Sequence, residues 1–359
     1  MNKKDILSFT LQELEAFFAG IGQPKFRAGQ VFRWLHVARI KDFNEMTNLS
    51  AQLREELKSN FYITSLKIQK RLVSDIDNTV KYLYELPDGE YIESVLMRYR
   101  YGNSLCISTQ VGCKMGCRFC ASTIAGFVRN LTPSEILEQV YAAEKDTGQE
   151  VSNIVLMGIG EPLDNFDHVI RFLELLSDPN GFHMSLRHVT VSTCGLVDRI
   201  EALAEKRLGL TLTVSLHAPN DRIRSESMPI NQKWNMDQLL DACRKYAEIT
   251  GRRVSFEYAL IRDVNDKEEH ALELASRLKG MLCHVNLIPV NEVTERKERY
   301  KTAIQKNVQQ FQKILQDKGI NTTIRRTLGA DINAACGQLR RETAKEERGC
   351  ILDEDSRNH

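Results

Sequence analysis

The sequence predicts an α/β protein built on a parallel sheet, with a small helical module and a β-hairpin ahead of it. Three observations carry this reading. Residues 1 to about 60 show helical periodicity with capping signals. Residues 63–100 alternate with period two, and from residue 104 onward apolar strands alternate with helices.

The bulk numbers set the frame. At 359 residues the chain can bury one large core with one or two small modules. Hydrophobic content of 42% and charged content of 27% are ordinary for a folded globular protein. A net charge of +1 gives no global basic field for nucleic acid. Local basic spots exist at Lys67/Lys70/Arg71, Arg98/Arg100, Lys114/Arg118/Arg129, Arg325/Arg326 and Arg340/Arg341. Nine cysteines, odd in number and unevenly spaced, do not make a disulfide framework. The first residues have a basic tip, but Gln and Glu interrupt their apolar run, so they read as neither signal peptide nor membrane span. Reduced thiols point to the cytoplasm.

In chain order, Thr10 followed by Glu13 is a capping box before the first helix. Gln23-Pro24 breaks the pattern, Phe26 to Val37 resumes it, and Ser50 caps a further helix. Nothing in this module looks catalytic. KYLYEL and YIESVLMRY then flank Pro87-Asp88-Gly89-Glu90, a hairpin signal. Glu93 shares a strand face with Val95 and Met97. It is either solvent-facing on an edge strand, or buried and able to accept a proton. The strands that follow are LCIST (105–109), NIVLMG (153–158), HVTVST (188–193), LTVSLH (212–217), VSFEYALI (254–261) and HVNLIPV (284–290), with NTTIRRT (321–327) as a seventh. Thr132-Pro133-Ser134-Glu135 opens one of the intervening helices. Apolar, β-branched strands alternating with helices mean right-handed crossovers in a parallel sheet, open or curled into a barrel.

Polar residues cluster at the carboxyl ends of these strands. They are the cysteine loop after the first, Gly158-Ile159-Gly160-Glu161-Pro162 after the second, Ser192 and Thr193, Ser215-Leu216-His217, and Asn291 after the sixth. In β/α barrels that edge carries the active site. The most informative run is Cys113-Lys114-Met115-Gly116-Cys117-Arg118-Phe119-Cys120, with CxxxCxxC spacing. Three such thiolates can hold three irons of a [4Fe–4S] cube and leave the fourth open. S-adenosylmethionine (SAM) can chelate that iron. Spacing alone leaves open a zinc site with a distant fourth ligand. Taken singly, Gly160-Glu161 is also a plain turn, and His217 is equally a core histidine.

Together these segments resemble the radical-SAM enzymes, and more closely the dual-specificity adenine-C2 RNA methyltransferases of RlmN type. LCISTQVGCKMGCRFCAST, GFVRNLTPSEILEQV, NIVLMGIGEPLDN, VTVSTCG, TVSLHAPND, MPIN, HVNLIPVN and IRRTLGADINAACGQLR carry the resemblance. The N-terminal GQPKFRAGQVFRWLH is similar to that family's accessory-domain signature. The resemblance implies a partial (β/α)6 radical-SAM barrel over 104–330. An RNA-interacting helical accessory domain (1–62), a β-hairpin extension (63–103) and a C-terminal loop and tail (331–359) would accompany it.

It also implies roles, residue by residue. Cys113, Cys117 and Cys120 would ligate the [4Fe–4S] cluster. Gly160, Glu161, Ser192, Ser215, Leu216, His217 and Asn291 would surround SAM. Cys336 would carry the methyl group as S-methylcysteine, Glu93 would accept a proton, and Cys106 would resolve a protein–RNA adduct through a transient disulfide with Cys336. Two SAM molecules would be used per turnover. An external electron donor such as flavodoxin or ferredoxin would supply electrons, and 23S rRNA and tRNA would be the substrates. C2 of adenine is neither nucleophilic nor acidic, so a radical route suits it. Small residues around Cys336 suit a mobile carrier. Cys194, Cys243 and Cys283 read as structural, with Cys194 the nearest to the SAM pocket, and Cys350 lies in a charged tail. Two other readings stand beside this one: C8 methylation of the Cfr type, and a non-catalytic zinc-dependent RNA-binding module.

Overall fold

The computed structural model describes residues 3–289, 300–332, 334 and 339–340. The N-terminal module holds α1 (Leu11–Gly20), α2 (Phe26–His36) and α3 (Ala51–Asn60), bracketed by a two-residue parallel pair, β1 (Lys4–Asp5) and β2 (Phe61–Tyr62). Thr10 and Glu13 form the expected capping box, and the Ser50 hydroxyl accepts the Leu53 N–H.

β3 (Lys67–Val73), β4 (Val80–Glu85), β5 (Tyr91–Tyr99) and β6 (Gly102–Cys106) follow as an antiparallel meander. The Asp88-Gly89 turn joins β4 to β5, with Gly89 at φ +84. A short hairpin of β7 (Gln110–Gly112) and β8 (Phe127–Asn130) leads into α4 (Pro133–Thr147). The repeating part runs β9 (Asn153–Leu156), α5 (Phe166–Ser177), β10 (Val189–Thr193), α6 (Val197–Glu205), β11 (Thr211–Ser215). It continues with α7 (Asp221–Ser227), α8 (Met236–Thr250), β12 (Val254–Leu260), α9 (Glu268–Leu278), β13 (Cys283–Pro289), α10 (Gln305–Asp317) and β14 (Thr322–Ile324).

Ten strands make one sheet, in the order β14-β13-β12-β11-β10-β9-β6-β5-β4-β3. The part from β6 to β14 is parallel throughout, as the βα alternation requires. The β-hairpin extension expected from the sequence is part of a run of three antiparallel strands that extends the barrel sheet itself through the β5–β6 pairing. The third, β3, is an edge strand with mostly exposed side chains and a bulge between Ile68 and Lys70.

The two faces of the sheet differ in kind. Ile154, Leu156, Val191, Leu212, Val214 and Phe256 face the helices and form the core with Val140, Phe172, Leu203 and Leu240. On the other face, one rung runs Lys81–Val95–Cys106–Val155–Thr190–Thr211, and another Ser215–Glu257–Asn286–Thr323. This inner face is polar and lines the barrel lumen.

The N-terminal module shares its core with the barrel helices. His36 Nδ1 meets the Tyr141 hydroxyl at 3.0 Å, Arg39 pairs with Glu144 at 2.6 Å, and Lys41 pairs with Glu138. Most basic spots are also matched by acids: Lys67 by Glu85, Arg71 by Asp146, Lys114 by Asp164, and Arg129 by Asp88 and Glu135. Among the described residues, no helix is long and apolar enough to cross a membrane.

Candidate active site

The cysteine loop is the connection of the β7–β8 hairpin. Gly112 sits at φ +78, and a Cβ there would stand 1.8 Å from the Gly126 carbonyl oxygen, so only glycine fits. Gly116, at φ +73, turns the chain inside the CxxxC segment. The Arg118 N–H donates to the Ser227 carbonyl at 2.8 Å and ties the loop to the end of α7. The Thr123 hydroxyl lies 3.1 Å from the Cys117 carbonyl and 3.0 Å from that of Cys120.

Cys113, Cys117 and Cys120 line one cavity of about 330 Å³ at the carboxyl edge of the sheet, within the size range of small-molecule sites. Gly160, Glu161, Ser192, Ser215 and His217 line the same cavity. Leu216 does not. Ser215 and Leu216 fall on opposite faces of the strand end, so the Leu216 side chain is buried in the core. Any contact it makes with a ligand is through backbone. Asn291, Cys336 and Cys350 lie outside the described residues.

The donor set suits an iron–sulfur cluster. Burial pushes the Cys113 thiol up to about 12 and raises that of Cys117 as well. Bound iron must therefore displace protons from both. Met115, Phe119, Cys194, Met228 and Ile230 pack with Cys117 and Cys120 and keep that part of the site apolar. Among the described residues, no three His, Cys, Asp or Glu side chains stand close enough to share one metal ion. A cube takes its thiolates on separate irons, so three cysteines spread around one cavity match it.

The opposite wall is polar but locked. Glu161 is almost fully buried; its Oε2 accepts the Cys194 N–H at 2.7 Å and its Oε1 the Leu163 N–H at 3.0 Å. Burial raises its carboxyl, and these donors pull it partway back. The Thr193 hydroxyl and the Cys194 thiol hydrogen-bond to it as well, so the carboxylate is held from several sides at the cavity wall. Gly160 lets the backbone approach β7, since a Cβ there would meet Gln110 at 2.6 Å. His217 has φ +55 and its Nδ1 accepts the Ala259 N–H at 2.9 Å. Burial, helped by the nearby Arg224 charge, lowers His217 to about 3. The ring is thus neutral, with its proton on Nε2 as a donor. Phe119 of the cysteine loop packs edge-on against it at 4.9 Å.

Glu93 is settled as a buried acid, 1% exposed. The register places β5 Val95 opposite Cys106, so Glu93 lies two residues further along the same inner face, beyond the carboxyl end of β6. The Ser108 hydroxyl, just past that end, donates to the Glu93 carbonyl at 2.6 Å. An antiparallel strand thereby delivers an acid to the edge that holds the cysteine loop. Lys81 Nζ stands 3.2 Å from Glu93 Oε2, and the Arg340 backbone N–H donates to Oε1 at 2.6 Å. Cys106 is buried and lines a side cavity with Met157, Arg325 and Arg326. Met157 and Arg325 also line the cysteine cavity.

Three groups escaped the sequence reading. Lys81 sits in KYLYEL, a charge inside an apolar strand, which was the available signal. Glu257 gives the same signal in VSFEYALI; its carboxylate accepts from Asn286 at 2.9 Å and faces Arg325 at 3.4 Å. Arg224 gave no signal, yet its side chain is fully buried and its guanidinium donates to the Cys194 and Ser215 carbonyls.

Known proteins agree with this geometry. The chain matches the family model described as "Ribosomal RNA large subunit methyltransferase N-terminal domain" over residues 4–63. It matches the "Radical SAM superfamily" over residues 107–275. It is 53% identical over 342 residues to the "Probable dual-specificity RNA methyltransferase RlmN" of Alkaliphilus oremlandii (strain OhILAs), covering 95% of this chain and 99% of the relative. The protein of the same description from Clostridium novyi (strain NT) is 52% identical over 338 residues, covering 94% and 98%. The crystal structure of a radical SAM methyltransferase from Sphaerobacter thermophilus superposes with a TM-score of 0.87 at 41% identity, over 93% of this chain and 98% of that one. Radical SAM membership implies a [4Fe–4S] cluster and SAM, for which the cysteine cavity has the donors. This chain therefore belongs to the RlmN family of radical SAM RNA methyltransferases.

Proposed function

We propose that this enzyme methylates C2 of an adenosine at the peptidyl-transferase centre of 23S rRNA, and of the adenosine 3′ to the anticodon in a subset of tRNAs. The observation that supports this most is the shared inner face of Glu93 and Cys106, beside the cysteine cavity. A proton acceptor and a thiol so placed suit a reaction that must strip a ring proton and then let the RNA go.

Bound on Cys113, Cys117 and Cys120, the cluster with SAM supplies the radical chemistry that an unreactive C2 needs. The chain's own groups do the rest. Glu161, fixed at the cavity wall, faces a ligand ammonium, and the neutral His217 donates from Nε2. Cys336 carries the methyl group, an assignment that rests on the motif around it. Glu93 takes the C2 proton while the bonding pair stays with the ring. Cys106 attacks the Cys336 sulfur, forming a disulfide and releasing RNA. Flavodoxin or ferredoxin is the proposed reductant, and the cytoplasm the proposed location. The target base must leave its stack to reach the inner face.

Anaerobic turnover with SAM and reductant, on 23S rRNA and on total tRNA, tests this by mass mapping of the methyladenosine isomers. 2-Methyladenosine is expected in both. A product carrying only the C8 methyl would sink the proposal. Cys106→Ala is expected to trap the protein–RNA adduct, and normal turnover by that variant would remove the resolving role.

A further inference from the structure

Glu93 is almost fully buried, where a carboxylate needs a close polar partner. The structure sets a buried ammonium against it. Lys81 is also 1% exposed, and its Nζ lies 3.2 Å from Glu93 Oε2. Both side chains belong to the inner face. Lys81 pairs with Val95, which pairs with Cys106, and Glu93 is the diagonal neighbour of both.

Other charged or titratable groups among the described residues also lie near the pair. Cys106 faces it from β6, and Tyr91 shares the face on β5. Lys70 on β3 is exposed. Arg340 directs its guanidinium to Glu90 at 3.4 Å and gives Glu93 only its backbone N–H. Burying a lysine is costly, and a lysine so placed does little for stability that an apolar residue could not match. A functional reason accounts for its presence better than a structural one.

We propose that Lys81 is a positioning residue that holds and aims the Glu93 carboxylate, so that it is ready to accept the C2 proton. The inference rests on the proton-acceptor reading of Glu93 given above. The proton moves from C2 to the Glu93 oxygen while the bonding pair stays with the ring. Without Lys81, the carboxylate loses a partner that fixes its direction.

The test is the yield of product and of covalent adduct with the reconstituted holoenzyme and a 23S rRNA fragment. Lys81→Met is expected to lose about tenfold or more of product while adduct accumulates. Lys81→Arg is expected to keep most product with no adduct accumulating. A Lys81→Met enzyme with wild-type product, or one that loses product without adduct, overturns the inference. If Glu93→Gln blocks proton loss while Lys81→Met turns over normally, Lys81 alone is wrong. If Glu93→Gln turns over normally, the proton-acceptor reading falls and this inference with it. Thermal melting gives an independent reading should Lys81→Met fold poorly. Glu93→Gln combined with Lys81→Met is expected to melt above Lys81→Met alone, because no lone carboxylate remains to be buried. A double variant that melts no higher counts against the pair.

Discussion

Replacing Arg224 with methionine would separate the strand ends that shape the SAM wall. Arg224 Nη2 donates to the Cys194 carbonyl at 2.6 Å and lies 3.3 Å from the Ser215 carbonyl, while Nη1 donates to Asn231 Oδ1 at 3.0 Å. Asn231 in turn donates to Asp221, so the guanidinium holds the ends of β10 and β11 against α7. Methionine keeps the length and the apolar stem but leaves three buried acceptors without a donor. Hydrogen bonds to a charged group contribute about 1.5–3 kcal/mol each. Relief from burying the guanidinium offsets part of that, and breaking such a buried charged contact costs about 3–5 kcal/mol net. At about 2 °C per kcal/mol for a chain of this length, the melting temperature should fall by roughly 6–10 °C. Arg224→Lys should recover only part, since a compact ammonium cannot span three acceptors. The assay is differential scanning fluorimetry of the anaerobically purified protein, with SAM affinity measured alongside. An Arg224→Met protein that melts within about 2 °C of wild type would refute the stapling argument.

Two further outcomes are expected. Wild type purified without oxygen should be brown with about four irons per chain, and Cys117→Ala should lose that iron; a colourless wild type holding zinc would overturn the cluster. His36 is buried and lowered to about 3 from its ordinary 6.5, so the unfolded chain takes its proton first. The stability tied to this group is complete above pH 6.5 and declines by about 1.4 kcal/mol per pH unit as pH falls from there toward 3. His36→Gln should flatten the urea-midpoint profile in that window, and an unchanged slope would show that His36 does not set it.

The βα alternation was legible because buried parallel strands advertise themselves as short apolar runs, and the caps at Thr10, Ser50 and Thr132 are local chemistry. The candidate site was legible where polar residues interrupt strand ends, which is how Glu161, Ser192, Ser215 and His217 came together. Leu216 shows the limit of a contiguous motif, since adjacent residues of a strand point to opposite sides of the sheet. β3 escaped notice as a strand because its residues are exposed and a bulge breaks the alternation. Lys81 and Arg224 were passed over for a different reason. Charged side chains belong by default at the surface, and the partners that allow their burial come from other elements. For the same reason, pattern alone left Glu93 undecided until its strand partner was in place.

The unbroken pairing from β4 through β6 has a mechanical consequence. Lys81, Glu93 and Cys106 occupy sites of one lattice, whose spacings are set by backbone hydrogen bonds and not by side-chain reach. No hinge lies between them. The three groups therefore sit along a fixed ruler. A single residue inserted in β5 between Glu93 and Val95 would flip Glu93 to the helix side. That change would disable the enzyme while every side chain of the site remained in the sequence.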